Sequence, residues 1–319
     1  MRAHIAVTPG DPRGIGPEVA LRALERFESE DPGVEVVLVG PEGAVARAEV
    51  ATDPVRWHGW VGGGDAEAGR LAGRAIERAV ALALSGEALA IVTAPLHKPS
   101  LQAAGWAVAG QTELLRDLAG SGSVGMLMAA ERTRLGSPLR VLLATRHIPL
   151  RDVPDALSAA VLVEQSTLLN DALRTDWGLR SPRLALCALN PHASDGGLFG
   201  SEEADVYAPA LERIRARGVE AEGPLPADTV FARALAGDFD AVVAPYHDVG
   251  MAAFKTVAFG TGVNVTIGLP FVRTSPDHGT AFDLAGTGRA DAASMLEALR
   301  LAARLSRARF DTTSADVLT

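Results

Sequence analysis

The chain has 319 residues, 48% of them hydrophobic and 22% charged, with a formal net charge of −9. That length suffices for a large core and for two lobes, and the composition is globular rather than disordered. The negative balance argues against non-specific binding to nucleic acid or to an anionic membrane, so an anionic ligand must be held by a local cluster. The single cysteine, Cys187, excludes an internal disulfide and a Cys-based zinc cage. The start of the chain runs into a strand-like segment without the apolar stretch of a signal peptide. No apolar run reaches the roughly 18 residues that span a bilayer. A cytoplasmic protein is expected, with no membrane or nucleic-acid partner.

Short apolar runs alternate with longer amphipathic ones. In chain order the pattern predicts a strand at Ile5–Val7, a helix at Pro17–Phe27, a strand at Val36–Val39, a helix at Ala66–Leu84 and a strand at Ala90–Thr93. It continues with a strand at Val141–Ala144, a helix at Asp155–Leu173, a strand at Leu184–Ala188 and a helix at Glu202–Arg217. Strands at Ala241–Ala244 and Val263–Ile267 and a helix at Ala292–Ala308 complete the series. Pro17 and Glu18 suit a first helical turn. Strands separated by helices need crossovers, which implies an α/β fold with mostly parallel sheets. The Arg132–Pro138 stretch reads as a hairpin connection between two strands. Two lobes around a cleft are expected.

Only two of the 30 cationic residues are lysines, Lys98 and Lys255. A lysine kept in an arginine-rich chain points to a place that needs a compact ammonium able to share or lose a proton. Chance retention is the bland alternative, and the neighbours decide between them.

Polar groups gather where strands end, which is where open α/β sheets bind ligands. Thr8–Glu18 (T-P-G-D-P-R-G-I-G-P-E) follows the first strand, and T-A-P-L-H-K follows the third. T-R-H-I-P-L, L-N-P-H-A-S-D-G-G and P-Y-H-D follow later ones. Four of the seven histidines, His97, His147, His192 and His247, sit within a few residues of a strand end. Three of these, His147, His192 and His247, have no lysine beside them and are candidates for a divalent-metal site with an open position. Taken singly, each also fits an ordinary hydrogen-bonded loop histidine. The Gly10–Gly16 segment is not a Rossmann fingerprint: its spacing is G-x-x-x-G-x-G, it contains Pro12, and the nearest acidic residue, Glu42, lies beyond Gly40 and Pro41. It is either a structural turn or an anion site at a helix N-terminus. Further on, Asn264 is a polar residue inside the apolar run G-V-N-V-T-I-G and needs a partner if buried. Lys255, Asn264 and Arg273 together suit a phosphate, the arginine as a fork and the lysine as a point charge.

These blocks carry a resemblance. From T-P-G-D-P-R-G-I-G-P-E through T-A-P-L-H-K, G-Q-T-E, T-R-H-I-P-L-R-D-V, L-N-P-H-A-S-D-G-G, A-P-Y-H-D-V-G and G-V-N-V-T-I-G-L-P-F-V-R-T-S-P-D to H-G-T-A-F-D-L-A-G, the chain resembles the 4-hydroxythreonine-4-phosphate dehydrogenase family of pyridoxal-phosphate biosynthesis. The resemblance implies the two-lobed fold of the isocitrate and isopropylmalate dehydrogenases. One lobe is expected at 1–112 plus 270–319 and the other at 113–269. It implies NAD or NADP, with Gly279, Thr280, Asp283 and Gly286 on the loop that seats the adenosine half. It also implies a zinc, magnesium or cobalt ion on His147, His192 and His247, with ligands drawn from both subunits of a homodimer.

Gln111, Thr112, Lys255, Asn264 and Arg273 match the family's substrate-binding positions, and Lys255 and Asp248 are the catalytic candidates. His97 and Lys98 are placed near the cleft. The implied reaction oxidises the C3 hydroxyl of 4-phosphohydroxy-L-threonine and then decarboxylates it to 3-amino-2-oxopropyl phosphate. Two departures bear on the substrate. Gln111 stands where the family reads G-H-T-E, and Val249 where it reads Y-H-D-Q-G. 4-Phospho-D-threonate and 4-phospho-D-erythronate are the alternative substrates, and a metal-dependent lyase or aldolase is the rival class.

Overall fold

The structure, a computed structural model, describes residues 4–40, 43–44 and 62–316. Glu42, weighed above, lies outside them. The chain opens with β1 (His4–Thr8), α1 (Gly16–Glu30), β2 (Glu35–Gly40), β3 (Gly43–Ala44) and α2 (Asp65–Leu84), followed by β4 (Ala90–Thr93), α3 (Lys98–Ala103) and α4 (Gln111–Ala119). Then come β5 (Gly125–Ala130), β6 (Leu139–Leu143), α5 (Val153–Ala156), α6 (Ala159–Thr175), β7 (Arg183–Cys187) and α7 (Ala208–Ala216). β8 (Glu220–Leu225), α8 (Ala227–Ala236), β9 (Ala241–Ala244) and α9 (His247–Ala258) follow. The chain closes on β10 (Val263–Ile267), β11 (Val272–Pro276) and α10 (Ala293–Asp316).

Two compact units result. One comprises the chain up to Gly122 together with Val263–Phe310, and the other is built on Ser123–Gly262. The sequence places these breaks at 112 and 269. In the first unit the strands run in the order β3-β2-β1-β4-β11-β10. β1 pairs in parallel with β2 and β4, and β4 with β11, whereas β10 lies antiparallel to β11. In the second unit the order is β5-β6-β9-β7-β8, parallel except for the β5–β6 hairpin. Central parallel strands are covered on both faces, which is why Ile5–Val7, Ile91–Val92, Val141–Leu143, Leu184–Leu186 and Val242–Val243 are unbroken apolar runs, all buried.

The expected strands and the Arg132–Pro138 hairpin connection are present, two expected helices differ in detail, and several elements that the pattern did not mark are present as well. The helix expected over 155–173 breaks at Leu157, which is extended (ψ 95°), and restarts at Ser158, whose hydroxyl accepts from Val161 N–H. The helix expected from Glu202 opens as a π-turn over Glu203–Tyr207. Ala208 N–H donates to Glu203 O five residues back, and the next residue, Pro209, has no N–H to continue the ladder. The loop-like Y-H-D-V-G-M-A-A-F-K is helix α9, so Asp248 and Lys255, seven residues apart, share one helix face about 10 Å apart along the axis.

In α2, Gly69 and Gly73 make a notch. A β-carbon on Gly69 would stand 1.9 Å from Ser100 O, and one on Gly73 2.5 Å from the Trp106 indole. Close packing of α3, and of Trp106 just beyond it, on α2 therefore rests on two glycines at i and i+4.

Candidate active site

The sequence-predicted residues divide between the units. His147, His192, His247, Asp248 and Lys255 belong to the second. Its β6 and β9 are parallel neighbours in the register Leu143↔Ala244, so the turns that follow them leave the sheet side by side. Thr145 ties the two exits together: its N–H and hydroxyl both donate to Pro245 O, at 3.2 and 2.7 Å. His147 and His247, each just beyond this tie, bring their ring centroids to 5.4 Å. His247 Nδ1 lies 2.7 Å from Asp248 Oδ1, which leaves Nε2 as its open nitrogen. Lys255 lies two turns along α9, its ammonium 5.8 Å from the centroid of the Phe259 ring.

His192 leaves β7, on the other side of β9. The Glu203 carboxylate fixes its loop, accepting from Leu189 N–H at 3.0 Å and from Asn190 N–H at 2.8 Å. Beyond Pro191 the backbone turns left-handed for five residues, His192 to Gly196, with φ between 45° and 69°. His147 is left-handed as well, at φ 46°. Such a conformation costs roughly 1–2 kcal/mol for each residue with a β-carbon. His192 lines a depression of about 260 Å³ with Asn190, Asp228, Tyr246 and Val249. Val249, one of the two departures, therefore presents an apolar wall beside a candidate ligand.

Among the described residues, no three metal-ligating side chains of one chain form a group. The chain brings two of its three candidate histidines together and holds the third elsewhere. The paired imidazoles, one oriented by a carboxylate, are candidate ligands for a divalent cation.

The first unit carries the other residues on one face of its sheet. Thr8 pairs with Thr93, Arg273 with Ile91, and Asn264 with Ser275. Side chains two apart on a strand share a face, so Thr8, Thr93, Arg273, Ser275, Asn264 and Thr266 all lie on the same side. Arg273 is 2% exposed, and its guanidinium meets only neutral oxygens. It donates to Thr266 Oγ1 at 2.9 Å, and to Thr93 Oγ1 and Gln111 Oε1 at 2.6 Å each. Burial pushes its pKa down to about 10, offset in part by the Glu113 carboxylate, so it stays charged at neutral pH. Arg273 Nε, Asn264 Oδ1 and Thr8 Oγ1 are enclosed without a hydrogen-bond partner. A buried cation bonded only to dipoles, among unsatisfied polar atoms, is chemically suited to an anion.

Gln111 and Thr112 open α4 behind Gly110, and Lys98 opens α3. The Lys98 ammonium lies across Gly110, 3.8 Å from where a β-carbon would stand, at the electropositive start of α4. Gly279, Thr280, Asp283 and Gly286 lie on the loop between β11 and α10. Thr280 O accepts from Ile15 N–H at 2.9 Å, and a β-carbon on Gly14 would stand 2.8 Å from the same oxygen. Arg22 donates to Gly288 O and Ala290 O. The glycine-rich Gly10–Gly16 segment is thus a backbone seat for this loop. Phe282 stands 42% exposed on it, with the Arg13 guanidinium 5.3 Å from its ring centroid and the His97 ring edge-on at 5.1 Å. Asp11, Asp65 and Ser100 hold Arg13 in place, and Arg13 holds the Asp65 carboxyl below the usual carboxylate range. An exposed aromatic on a loop pinned at both ends suits a flat cofactor ring.

Thr93, Thr266, Arg13 and Phe282 were not singled out from the sequence. The two-residue period joining Asn264 to Thr266 was the signal available for one of them.

A family model described as pyridoxal phosphate biosynthetic protein PdxA matches residues 18–302. The chain belongs to this family. It is 42% identical over 328 residues to a 4-hydroxythreonine-4-phosphate dehydrogenase of Chromobacterium violaceum, covering 96% of this chain and 97% of that one. A crystal structure of the Klebsiella pneumoniae 4-hydroxythreonine-4-phosphate dehydrogenase matches with TM-score 0.82 at 39% identity, over 95% of this chain and 99% of that one. An isocitrate dehydrogenase from Methylococcus capsulatus shares the fold, with TM-score 0.50 at 17% identity over 92% and 83% of the two chains. As a PdxA-family protein the chain is an oxidoreductase, and the lyase reading falls away. Among the described residues no helix is long and apolar enough to cross a membrane.

Proposed function

We propose that this PdxA-family oxidoreductase oxidises the C3 hydroxyl of a phosphorylated hydroxy acid, 4-phosphohydroxy-L-threonine first among candidates, and then decarboxylates the product. The observation that carries the reading is Arg273, a buried cation bonded only to neutral oxygens. With Asn264 it receives the substrate's anionic end. The loop bearing Gly279, Thr280, Asp283 and Gly286, with Phe282 exposed upon it, takes the adenosine half of NAD or NADP. His147 and His247 of one subunit and His192 of its partner in a homodimer hold a zinc, magnesium or cobalt ion. A cation there would supply Lewis acidity that favours loss of the hydroxyl proton, and a nicotinamide in the loop's site would supply the hydride acceptor.

The chain's own residues do the rest. Asp248 accepts the Nδ1 proton of His247 and fixes the ring with Nε2 presented. The Lys255 side chain, as the neutral amine, takes up the proton at the C3 oxygen and returns it as the ammonium, or as the ammonium steadies the negative charge that develops there. When hydride leaves C3 the product is a β-keto acid. Its C–C bond to the carboxylate then breaks, CO₂ departs, and the electron pair left behind is protonated to give 3-amino-2-oxopropyl phosphate.

Nicotinamide reduction in the presence of divalent metal tests the reading across 4-phosphohydroxy-L-threonine, 4-phospho-D-threonate and 4-phospho-D-erythronate. Reduction with one of them, abolished by chelator, is the expected result. No reduction with any of the three overturns it.

A further inference from the structure

Gln111 departs from the G-H-T-E pattern of the resembled family, and its hydrogen bonds define a task of its own. Its Oε1 accepts from Arg273 Nη2 at 2.6 Å and from Thr93 Oγ1 at 2.7 Å, which fills both lone pairs. Its Nε2 donates to Ala94 O at 3.1 Å. One N–H is all that is left for a ligand. Arg273 in turn is held on its second terminal nitrogen by Thr266.

We propose that Gln111 is a positioning residue for Arg273 rather than a direct substrate ligand: its neutral carbonyl, with Thr93 and Thr266, locks the guanidinium in one orientation and leaves its charge for the substrate. The chemistry of the side chain supports this. A neutral imidazole has one donor and one acceptor, so it cannot serve Thr93, Arg273 and the Ala94 carbonyl together. A carboxylate accepts both bonds but cannot donate to Ala94 O, and it would cancel the guanidinium charge. An amide alone among the usual polar side chains satisfies all three neighbours and adds no charge. The glutamine in G-Q-T-E thus trades direct contact for a fixed cation to which no carboxylate is hydrogen-bonded.

The inference rests on the anion role of Arg273, and its test keeps the two apart. Binding of the three phosphorylated acids to the wild-type enzyme, measured calorimetrically, reads the substrate assignment alone. For the acid that binds, Gln111→Ala is compared in the Arg273 background and in Arg273→Lys, where the charge stays but the fork is gone. Action through the guanidinium predicts a rise in Kd of about tenfold or more in the first background and less than about twofold in the second. Equal losses in both would show that Gln111 meets the substrate itself and would overturn the proposal.

A second measurement needs no ligand. In protein labelled at the arginine nitrogens, the two terminal nitrogens of Arg273 are expected to give separate resonances in the wild type. In Gln111→Ala they should merge as the group begins to rotate. Separate resonances persisting in that variant, while the fold is intact, would overturn the proposal whether or not any acid binds.

Discussion

Lys255 and Arg273 show how one positive charge serves two ends. The arginine is buried, forked and bonded on both terminal nitrogens, so it acts as a fixed charge. The lysine rides a helix face shared with Asp248, and in the proposed mechanism its nitrogen moves a proton that an arginine would hold fast. Lys255→Arg is accordingly expected to keep substrate affinity within a few-fold and to lose most turnover, on the order of a hundredfold. Steady-state kinetics check it, and a near-normal kcat would remove Lys255 from the proton pathway. Backbone conformation carries a second residue-scale consequence. Ala193 sits in the left-handed turn at φ 54° with no functional side chain to justify the strain. Ala193→Gly should stabilise the ligand-free protein by roughly 0.5–1 kcal/mol, because relief of the left-handed strain exceeds the entropy that glycine adds to the unfolded chain. Urea denaturation measures it, and a destabilised variant would mean that the Ala193 methyl group contributes contacts worth more than that strain.

At the scale of elements, helix propensity and packing disagree in α2, and packing decides. On propensity, replacing a mid-helix glycine with alanine gains about 1 kcal/mol. At Gly69 the new methyl group would meet Ser100 O at 1.9 Å, where only backbone movement can relieve it. Gly69→Ala is therefore expected to destabilise by about 1–3 kcal/mol, with a lowered Tm by calorimetry. An unchanged or raised Tm would mean that α3 shifts at little cost.

The same contrast explains what was legible beforehand. Apolar runs such as Val141–Leu143 and Leu184–Leu186 announce buried parallel strands because both their faces are covered. β11, Val-Arg-Thr-Ser-Pro, is equally buried, yet it shows no apolar strand pattern because it carries the polar face of the sheet. β8 contains Gly223 and Pro224, residues that only a terminal strand of the sheet tolerates, and it too shows no strand pattern. Helix α9 was masked by its own chemistry: His247, Asp248 and Lys255 draw attention as a site before they count as a periodic face.

For the molecule as a whole, the candidate histidines were legible because they follow strands, and the turns beyond those strands decided which of them meet. β6 and β7 both flank β9, yet His147 converges with His247, whereas His192 leaves β7 through a left-handed turn of five residues. No sequence period encodes that turn. The proposed anion site was half-legible: Asn264 and Arg273 stood out as polar residues near apolar runs. Thr93, Thr266 and the bonding role of Gln111 needed the register of three strands and the position of α4. With a net charge of −9, an anionic ligand has to be held by a local cation, and the buried Arg273 guanidinium is the one proposed for that role.

Cys187 ends β7 wholly buried, packed in the core with Val141, Leu143, Val242 and Phe254, and desolvation pushes its thiol up to about 12. As the chain's only sulfhydryl it works as a clock for that core. A thiol reagent can reach it only when the core around β7 opens. Labelling at mildly alkaline pH should run at least about a thousandfold slower than for free cysteine, in proportion to the stability of the surrounding core. Any ligand held by the histidines of this unit should slow it further by mass action, which gives occupancy a readout that needs neither substrate nor turnover. Rapid labelling of the native protein would mean that the core around β7 opens far more readily than its packing implies.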